Sequence, residues 1–358
     1  MRQDSPSFWF IDATKAVASQ LIVWHHFVAY GPMARTLYPY VAELMDWLYE
    51  DARQVVQAFL VIGGFLAARS LAPRPQEPTF DASFRTLVKL IWRRYVRLAK
   101  PYLAALVLAM LMAALARRIM FDIDTPPAPS LMQVAAHVLL IHDLVNVDAL
   151  SAGVWYVAID FQLYGVLLLI LWCSLHVARC SRLDMRTLAL ASVIGLSALS
   201  LLWFNRDPSM DQWAFYFFGA YGLGVMVQWS GGFTRKHPWL GVLAAIVIVA
   251  LTLEWRSRLL VAAVTALMLG IGLHLKPFLG TAAHAAIAWL GRTSYALFLV
   301  HYPVVLIVGT VVAGLWPGNV PAHAAGLLAA WALSVVAAGS LHRSLEASGR
   351  KSLRPMTP

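Results

Sequence analysis

The feature that most constrains this chain is the recurrence of apolar stretches without one charged residue: 101–116, 187–204, 213–232, 239–253, 259–275, 293–319 and 321–341. A bilayer core of about 30 Å is crossed by about 20 predominantly apolar helical residues. Strict alternation of apolar and polar residues, which a barrel strand would need, is absent from these stretches, so they read as helices. Of 358 residues, 60% are hydrophobic and 13% are charged. Soluble domains carry about 25% charged residues, which excludes an ordinary soluble fold.

The expectation is an all-α, polytopic membrane helix bundle of ten spans, at 8–30, 54–71, 99–116, 153–178, 187–204, 213–230, 239–253, 259–275, 293–316 and 321–341. An even number puts both termini on one side. With that side cytoplasmic, the inner loops hold 19 Lys and Arg and the outer loops 7. This is the bias that orients membrane proteins, and it accounts for the net charge of +10 without nucleic acid. The stretch 131–144 is too short for a span and reads as an interfacial helix in a long outer loop, 117–152. Residues 31–53 read as an outer connection. One integral-membrane domain fills 1–358, with a short basic cytoplasmic tail at 342–358. The N-terminus lacks the pattern of a removable signal peptide. Cys173 and Cys180 fall about 10 Å apart on one helix, too far for a disulfide.

Ionisable residues at membrane depth cost roughly 2.5 kcal/mol or more each at a helix centre and so mark cavities or working sites. The first span, WFIDATKAVASQLIVWHHFVAYG, contains four. Asp12 and Lys15 are three apart and can pair on one face. His26 follows Lys15 by eleven residues, about 16 Å or three turns, which sets it close to the same face in the outer half of the bilayer. His25 turns about 100° away, so the two rings cannot grip one metal ion. The fourth span opens GVWYVAIDFQLYG and carries Asp160 at a depth close to that of His26, where a carboxylate and an imidazole suit a base and its orienting partner. The ninth, LGRTSYALFLVHYPVV, carries His301 two residues before Pro303, a candidate kink. The strip RRYVRLAKP, 93–101, is a basic approach to the third span. It can anchor to anionic lipid or clamp the phosphates of a cytoplasmic donor through Arg94 and Arg97. No phosphate loop, nucleophile elbow or HExxH zinc motif is present, and His137 and His142, five apart, do not share a helical face, so no metal is expected.

Five phrases, in order, resemble the integral-membrane acyltransferase-three family, which O-acylates bacterial surface and secreted glycans. IDATKAVASQLIVWHHF matches its first-span motif with Asp12, Lys15 in place of the usual Arg, His26 and Phe27. AFLVIGGFL matches the end of its second span, with Gly63 where Ser is usual. RRYVRLAKPY resembles its basic approach to the third span. WYVAIDFQLY keeps Trp155, Gln162 and Tyr164 and places Asp160 where the family has Glu. GRTSYALFLVHYP keeps Gly291, Ser294, Tyr295, His301 and Pro303.

The resemblance implies ten helices with both ends inside, in a bacterial inner membrane. It implies acyl-CoA, with acetyl-CoA as the simplest donor substrate, no permanently bound cofactor, and a hydroxyl acceptor on a glycan or lipid-linked saccharide. His26 is then the catalytic base or transient acyl carrier, and Asp160 orients it or holds the acceptor. Lys15, paired with Asp12, and Arg94 and Arg97 meet the donor phosphates. Trp155 stacks on a sugar ring, and Gln162, Tyr164, Ser294, Tyr295 and His301 line the substrate site. A separate periplasmic partner is left open. The rival reading is a non-catalytic transporter or exporter, which would show broken helices at the midplane and internal symmetry.

Overall fold

The structure, a computed structural model, describes residues 9–71, 83–231, 237–273 and 280–352. Phe8, Leu275 and the cations Arg2, Arg74, Arg235, Lys236, Lys276 and Arg354 lie outside them. Among the described residues the secondary structure is helical throughout. The main elements are α1 Trp9–Ala29, α2 Pro32–Glu50, α3 Val56–Leu71, α4 Phe84–Ile119, α5 Leu131–Val138, α6 Trp155–Cys180, α7 Met185–Leu202, α8 Ala214–Trp229, α9 Pro238–Leu253, α10 Ser257–Gly272, α11 Thr281–Leu315 and α12 Val320–Ser352.

Each of the ten expected spans coincides with a helix. Among the described residues, six stretches are long and apolar enough to cross a membrane, namely Pro32–Leu71, Phe84–Ile119, Trp155–Cys180, Met185–Arg206, Thr281–Leu315 and Val320–Leu345. Pro238–Leu253 and Ser257–Gly272 are apolar but shorter.

The helices correct or extend the local expectations at several points. The connection at 31–53 is largely helix: α2 starts on Pro32, where a missing N–H costs nothing, and kinks at Val41, two residues after Pro39. The interfacial helix expected over 131–144 stops at Val138, because Leu140 adopts a φ of 59° that ends helical bonding. The basic strip at 93–101 lies inside α4, which begins at Phe84. Finally, α11 continues unbroken through Pro303, and α12 carries helix to Ser352, into the expected tail.

The chain forms two compact units. The first comprises Met1–Ile11, Gln54–Leu98 and Trp155–Leu279. Its core runs through Leu60, Phe65, Leu163, Leu167, Phe218 and Leu269. Here α3 and α8 meet backbone to backbone. A Cβ on Gly64 would sit 1.9 Å from the Tyr221 carbonyl oxygen, and one on Gly224 would sit 1.8 Å from that of Val61. Without a hydrophobic drive between helices in lipid, such small-residue contacts are how helices gain packing energy. The second unit comprises Asp12–Arg53, Ala99–Val154 and Gly280–Pro358. Its core gathers Val23, Phe27, Met33, Leu297, Val300 and Ala330.

Candidate active site

In the second unit, α1 and α11 are in contact at two levels. Gly291 lies so close to α1 that a Cβ on it would be 2.4 Å from the Asp12 carbonyl oxygen. Further along both helices, the ring of His301 reaches that of His26, with Nε2 of His301 2.9 Å from Nδ1 of His26. The contacts occur in the same order on both helices, so α1 and α11 run parallel. Both rings are buried, His301 completely. They meet edge to edge through these nitrogens, with centroids 4.9 Å apart and planes at 22°.

The hydrogen bonds select a tautomer. Nδ1 of His301 lies 3.2 Å from the carbonyl oxygen of Leu297, one turn earlier, and must donate to it. With both rings neutral, Nε2 of His301 is then an acceptor and Nδ1 of His26 the donor. The proton assignment follows from the partners rather than from observed hydrogens. It leaves the lone pair of His26 on Nε2, the form a general base needs.

The segment between α4 and α6 closes on this pair. Gly153 has a φ of 75°, and a Cβ there would lie 2.8 Å from Cε2 of Phe298 and 3.2 Å from Cε1 of His26. One turn above His26, Tyr30 stacks over its ring at 6.1 Å and meets Tyr302 edge to face. The Tyr302 hydroxyl donates to the carbonyl of Asp124 at 3.2 Å, and the backbone N–H of Gly31 donates to the Asp124 carboxylate at 2.8 Å. Arg35 forms ion pairs with Asp122 and Asp124. His25 faces away as expected: its Nδ1 donates to the Leu48 carbonyl on α2 at 3.1 Å. The expected pair at the other end of α1 is present, with Nζ of Lys15 3.1 Å from Oδ1 of Asp12. Ser294 donates to the Gly291 carbonyl at 2.9 Å, and Tyr295 is partly buried one residue on.

In the first unit, Asp160 meets Arg94. Nη2 of Arg94 lies 2.5 Å from Oδ2 of Asp160, and the guanidinium sits 5.0 Å over the ring of Tyr164. Nε of Arg94 and the hydroxyl of Tyr221 are buried without a hydrogen-bond partner. Gly63 borders the same spot: a Cβ there would fall 3.4 Å from Oδ1 of Asp160 and 3.6 Å from Cε2 of Tyr221. Arg97 lies three residues beyond Arg94 on α4, one turn along. Oε1 of Gln162 accepts the first N–H of α8, from Ala214, at 3.2 Å. Trp155 is stacked on Phe217 with centroids 5.4 Å apart, so one face is already used inside the protein.

The structure therefore brings together His26 with His301, Asp160 with Arg94 and Tyr164, and Lys15 with Asp12. The expected orienting partner of His26 was Asp160; the group that engages Nδ1 of His26 is His301, while Asp160 holds Arg94. Sequence reasoning missed Gly153 and Tyr221. For Gly153, its place just before the WYVAIDFQLY phrase was the available signal; Tyr221 had none. Among the described residues no group of three or more His, Cys, Asp or Glu is arranged to hold a metal ion. A cavity of about 710 Å³ between α8, α9 and α10 holds none of these residues. It is apolar except for His237 and offers no catalytic constellation.

A comparison with curated proteins and one with solved structures returned no match. A family model described as an acyltransferase domain matches residues 8–339, from the start of the first predicted span to near the end of the last. That match takes in both polar clusters and all five sequence phrases, and it establishes that the chain belongs to the acyltransferase-three family.

Proposed function

We propose that this membrane acyltransferase moves an acetyl or other short acyl group from acyl-CoA to a hydroxyl of a saccharide. The observation that carries the reading is the bond between Nδ1 of His26 and Nε2 of His301, which leaves His26 poised as a base inside a family of acyl-transfer proteins. In the reaction, Nε2 of His26 takes the proton of the acceptor hydroxyl as its oxygen attacks the thioester carbonyl carbon. A C–O bond forms, the C–S bond breaks, and the proton passes on to the departing CoA thiolate. His301 acts as a positioning residue, fixing the tautomer and the ring plane of His26. Arg94 and Arg97 supply cations of the kind that a CoA donor's phosphates require.

The proposal includes ten spans with both termini in the cytoplasm of a bacterial inner membrane. The parallel course of α1 and α11 supports it, because the first and ninth of alternating spans run the same way. The broken helix that the transporter reading asks for is not found at the glycine pair Gly63 and Gly64, which lie in unbroken α3, where Gly64 serves close helix packing. Titration of acetyl-CoA into purified protein tests the donor, and heat from the wild type at sub-millimolar donor is the expected result. Labelling of a cysteine introduced at exposed Phe121 by a membrane-impermeant reagent on intact spheroplasts tests the orientation. Absence of acetyl-CoA binding, or labelling only after lysis, would count against the respective half.

A further inference from the structure

Resting on that reading, we infer that a pocket formed by the turns after α7 and α9 is a docking site for a neutral saccharide of the acceptor. The pocket has a volume of about 290 Å³ and is bordered by Leu202, Trp203, Arg206, Asp207 and Glu254, all in the first unit. Its chemistry is that of a polyol site. The indole of Trp203 is 74% exposed, a free aromatic face for the C–H side of a sugar ring. Nε of Arg206 donates to Oε2 of Glu254 at 2.9 Å, which aligns a planar donor and a planar acceptor side by side, the spacing that vicinal hydroxyls bridge. Asp207 adds a second carboxylate, held in place because its Oδ1 accepts from the backbone N–H of Ser209 at 3.0 Å and from its hydroxyl at 2.7 Å.

The pocket is built rather than incidental. Arg256 is 7% exposed and spends its guanidinium on the scaffold, donating to Oδ1 of Asn205 and to the Leu201 carbonyl, each at 2.8 Å. Arg258 donates to the Asn205 carbonyl at 2.6 Å. Two arginines from the turn after α9 and the start of α10 thus pin the turn that carries Trp203, Arg206 and Asp207. A preorganised wall of this kind lowers the ordering cost of binding. The two carboxylates that border the pocket, Asp207 and Glu254, accept hydrogen bonds from neutral hydroxyls, whereas the one guanidinium on its border is already engaged by Glu254 and the buried Arg256 is spent on the scaffold, so the border offers no free cation to a phosphate headgroup or a uronic acid. Trp155, the aromatic expected from sequence to stack on sugar, is already stacked on Phe217. Trp255, 69% exposed, adjoins Glu254 but does not border the pocket, so it separates sugar stacking from the ordinary role of Trp at a membrane interface.

The test uses full-length protein in nanodiscs prepared without sugar detergents, with saturation-transfer NMR to soluble neutral trisaccharides of glucose, rhamnose and N-acetylglucosamine. Wild type should saturate at least one of them and should not saturate a trisaccharide of uronic acids. Trp203→Ala and Glu254→Gln should weaken binding about tenfold, the effect of losing one good contact, and Trp255→Ala should leave it unchanged. Thermal unfolding of each variant, expected to match wild type at these surface positions, confirms that the comparison is between folded proteins. No transfer to any neutral sugar, an unaffected Trp203→Ala, or equal loss from Trp203→Ala and Trp255→Ala overturns the inference. An acetyl-CoA titration on the same samples keeps the two readings apart: donor binding without sugar binding removes the pocket alone, and sugar binding without donor binding removes the acyltransferase reading.

Discussion

Nδ1 of His26 and Nε2 of His301 stand 2.9 Å apart, joining two side chains that are 275 residues apart in sequence. Because His301 also donates to its own helix at Leu297, it can only accept from His26 when both are neutral. His26→Ala should therefore lower acyl transfer about 10²- to 10⁴-fold, the range a general base supplies. His301→Ala should lose part of that factor, and His301→Gln, whose amide oxygen can still accept from Nδ1 of His26, should recover some of it. His25→Ala, facing α2, should be mild. Radiolabelled acetyl transfer in membranes reads all four; equal loss from His25→Ala and His26→Ala would remove the argument from orientation.

The Arg94–Asp160 pair is largely buried, and removing one partner leaves a charge uncompensated, at a cost of about 3 to 5 kcal/mol in comparable buried pairs. Asp160→Ala and Arg94→Ala should each lower the melting temperature in detergent. The double variant Arg94→Met with Asp160→Leu should regain much of the stability while remaining inactive. Recovery of transfer by the double variant would show that the pair only holds the helices together.

Gly64→Ala and Gly224→Ala each drive a methyl group into a facing carbonyl at under 2 Å, so α3 and α8 must separate. Both should reduce the yield of folded protein. Gly165→Ala and Gly195→Ala meet nothing within 4 Å and should be neutral, since alanine is the better helix former. Fluorescence size-exclusion profiles of the four variants make the comparison.

The segment between α4 and α6 should loosen in acid. His137 donates from Nδ1 to the Gln133 carbonyl at 2.8 Å and accepts at Nε2 from the Leu150 N–H at 3.1 Å, which fixes the neutral form. His142 stacks on it with centroids 4.2 Å apart. Its Nε2 is 3.4 Å from the Asp143 carboxylate, yet neither ring nitrogen makes a hydrogen bond. Burial depresses both imidazoles to about 4. Protons then bind the open loop more readily than the closed one, so the stabilisation is complete above the ordinary histidine value near 6.5 and fades as pH falls toward 4. Hydrogen exchange at the amide of Leu150 should speed up between pH 6.5 and 4, after correction for intrinsic rates. His137→Gln, which can keep both bonds, should flatten that dependence.

Much of the fold was legible because lipid imposes one rule, an apolar run of sufficient length, and each of the ten runs overlies a helix. What the rule does not read was missed. The amphipathic α2, with Tyr38, Tyr40 and Trp47 exposed, has no apolar run. The ends of α4, α11 and α12 continue past the apolar stretch because helix propensity, unlike hydropathy, does not stop at the membrane surface. Within the site, facial periodicity separated His25 from His26 and paired Asp12 with Lys15, both being contacts within a few turns. Depth alone suggested Asp160 as the partner of His26. Which distant group meets His26 depends on Gly291 bringing α11 against α1, and spacing along a single helix carries no information about that.

The length of α4 has a consequence of its own. Its charge-free segment, 101–116, is bracketed by Lys100 and Arg117 and measures about 24 Å, shorter than a hydrocarbon core of about 30 Å. With this segment across the bilayer, as proposed, both cations reach outward to the headgroups or the bilayer thins around them. Arg117 is also tied to the loop through the Pro126 carbonyl. Held at both ends, α4 works as a depth gauge, and the turns carrying Arg94 and Arg97 lie about 9 Å and 4.5 Å beyond Lys100. On that topology bilayer thickness becomes a variable that sets how far these arginines stand from water, and membranes of different acyl-chain length should tune the proposed donor side of the protein without any change in its sequence.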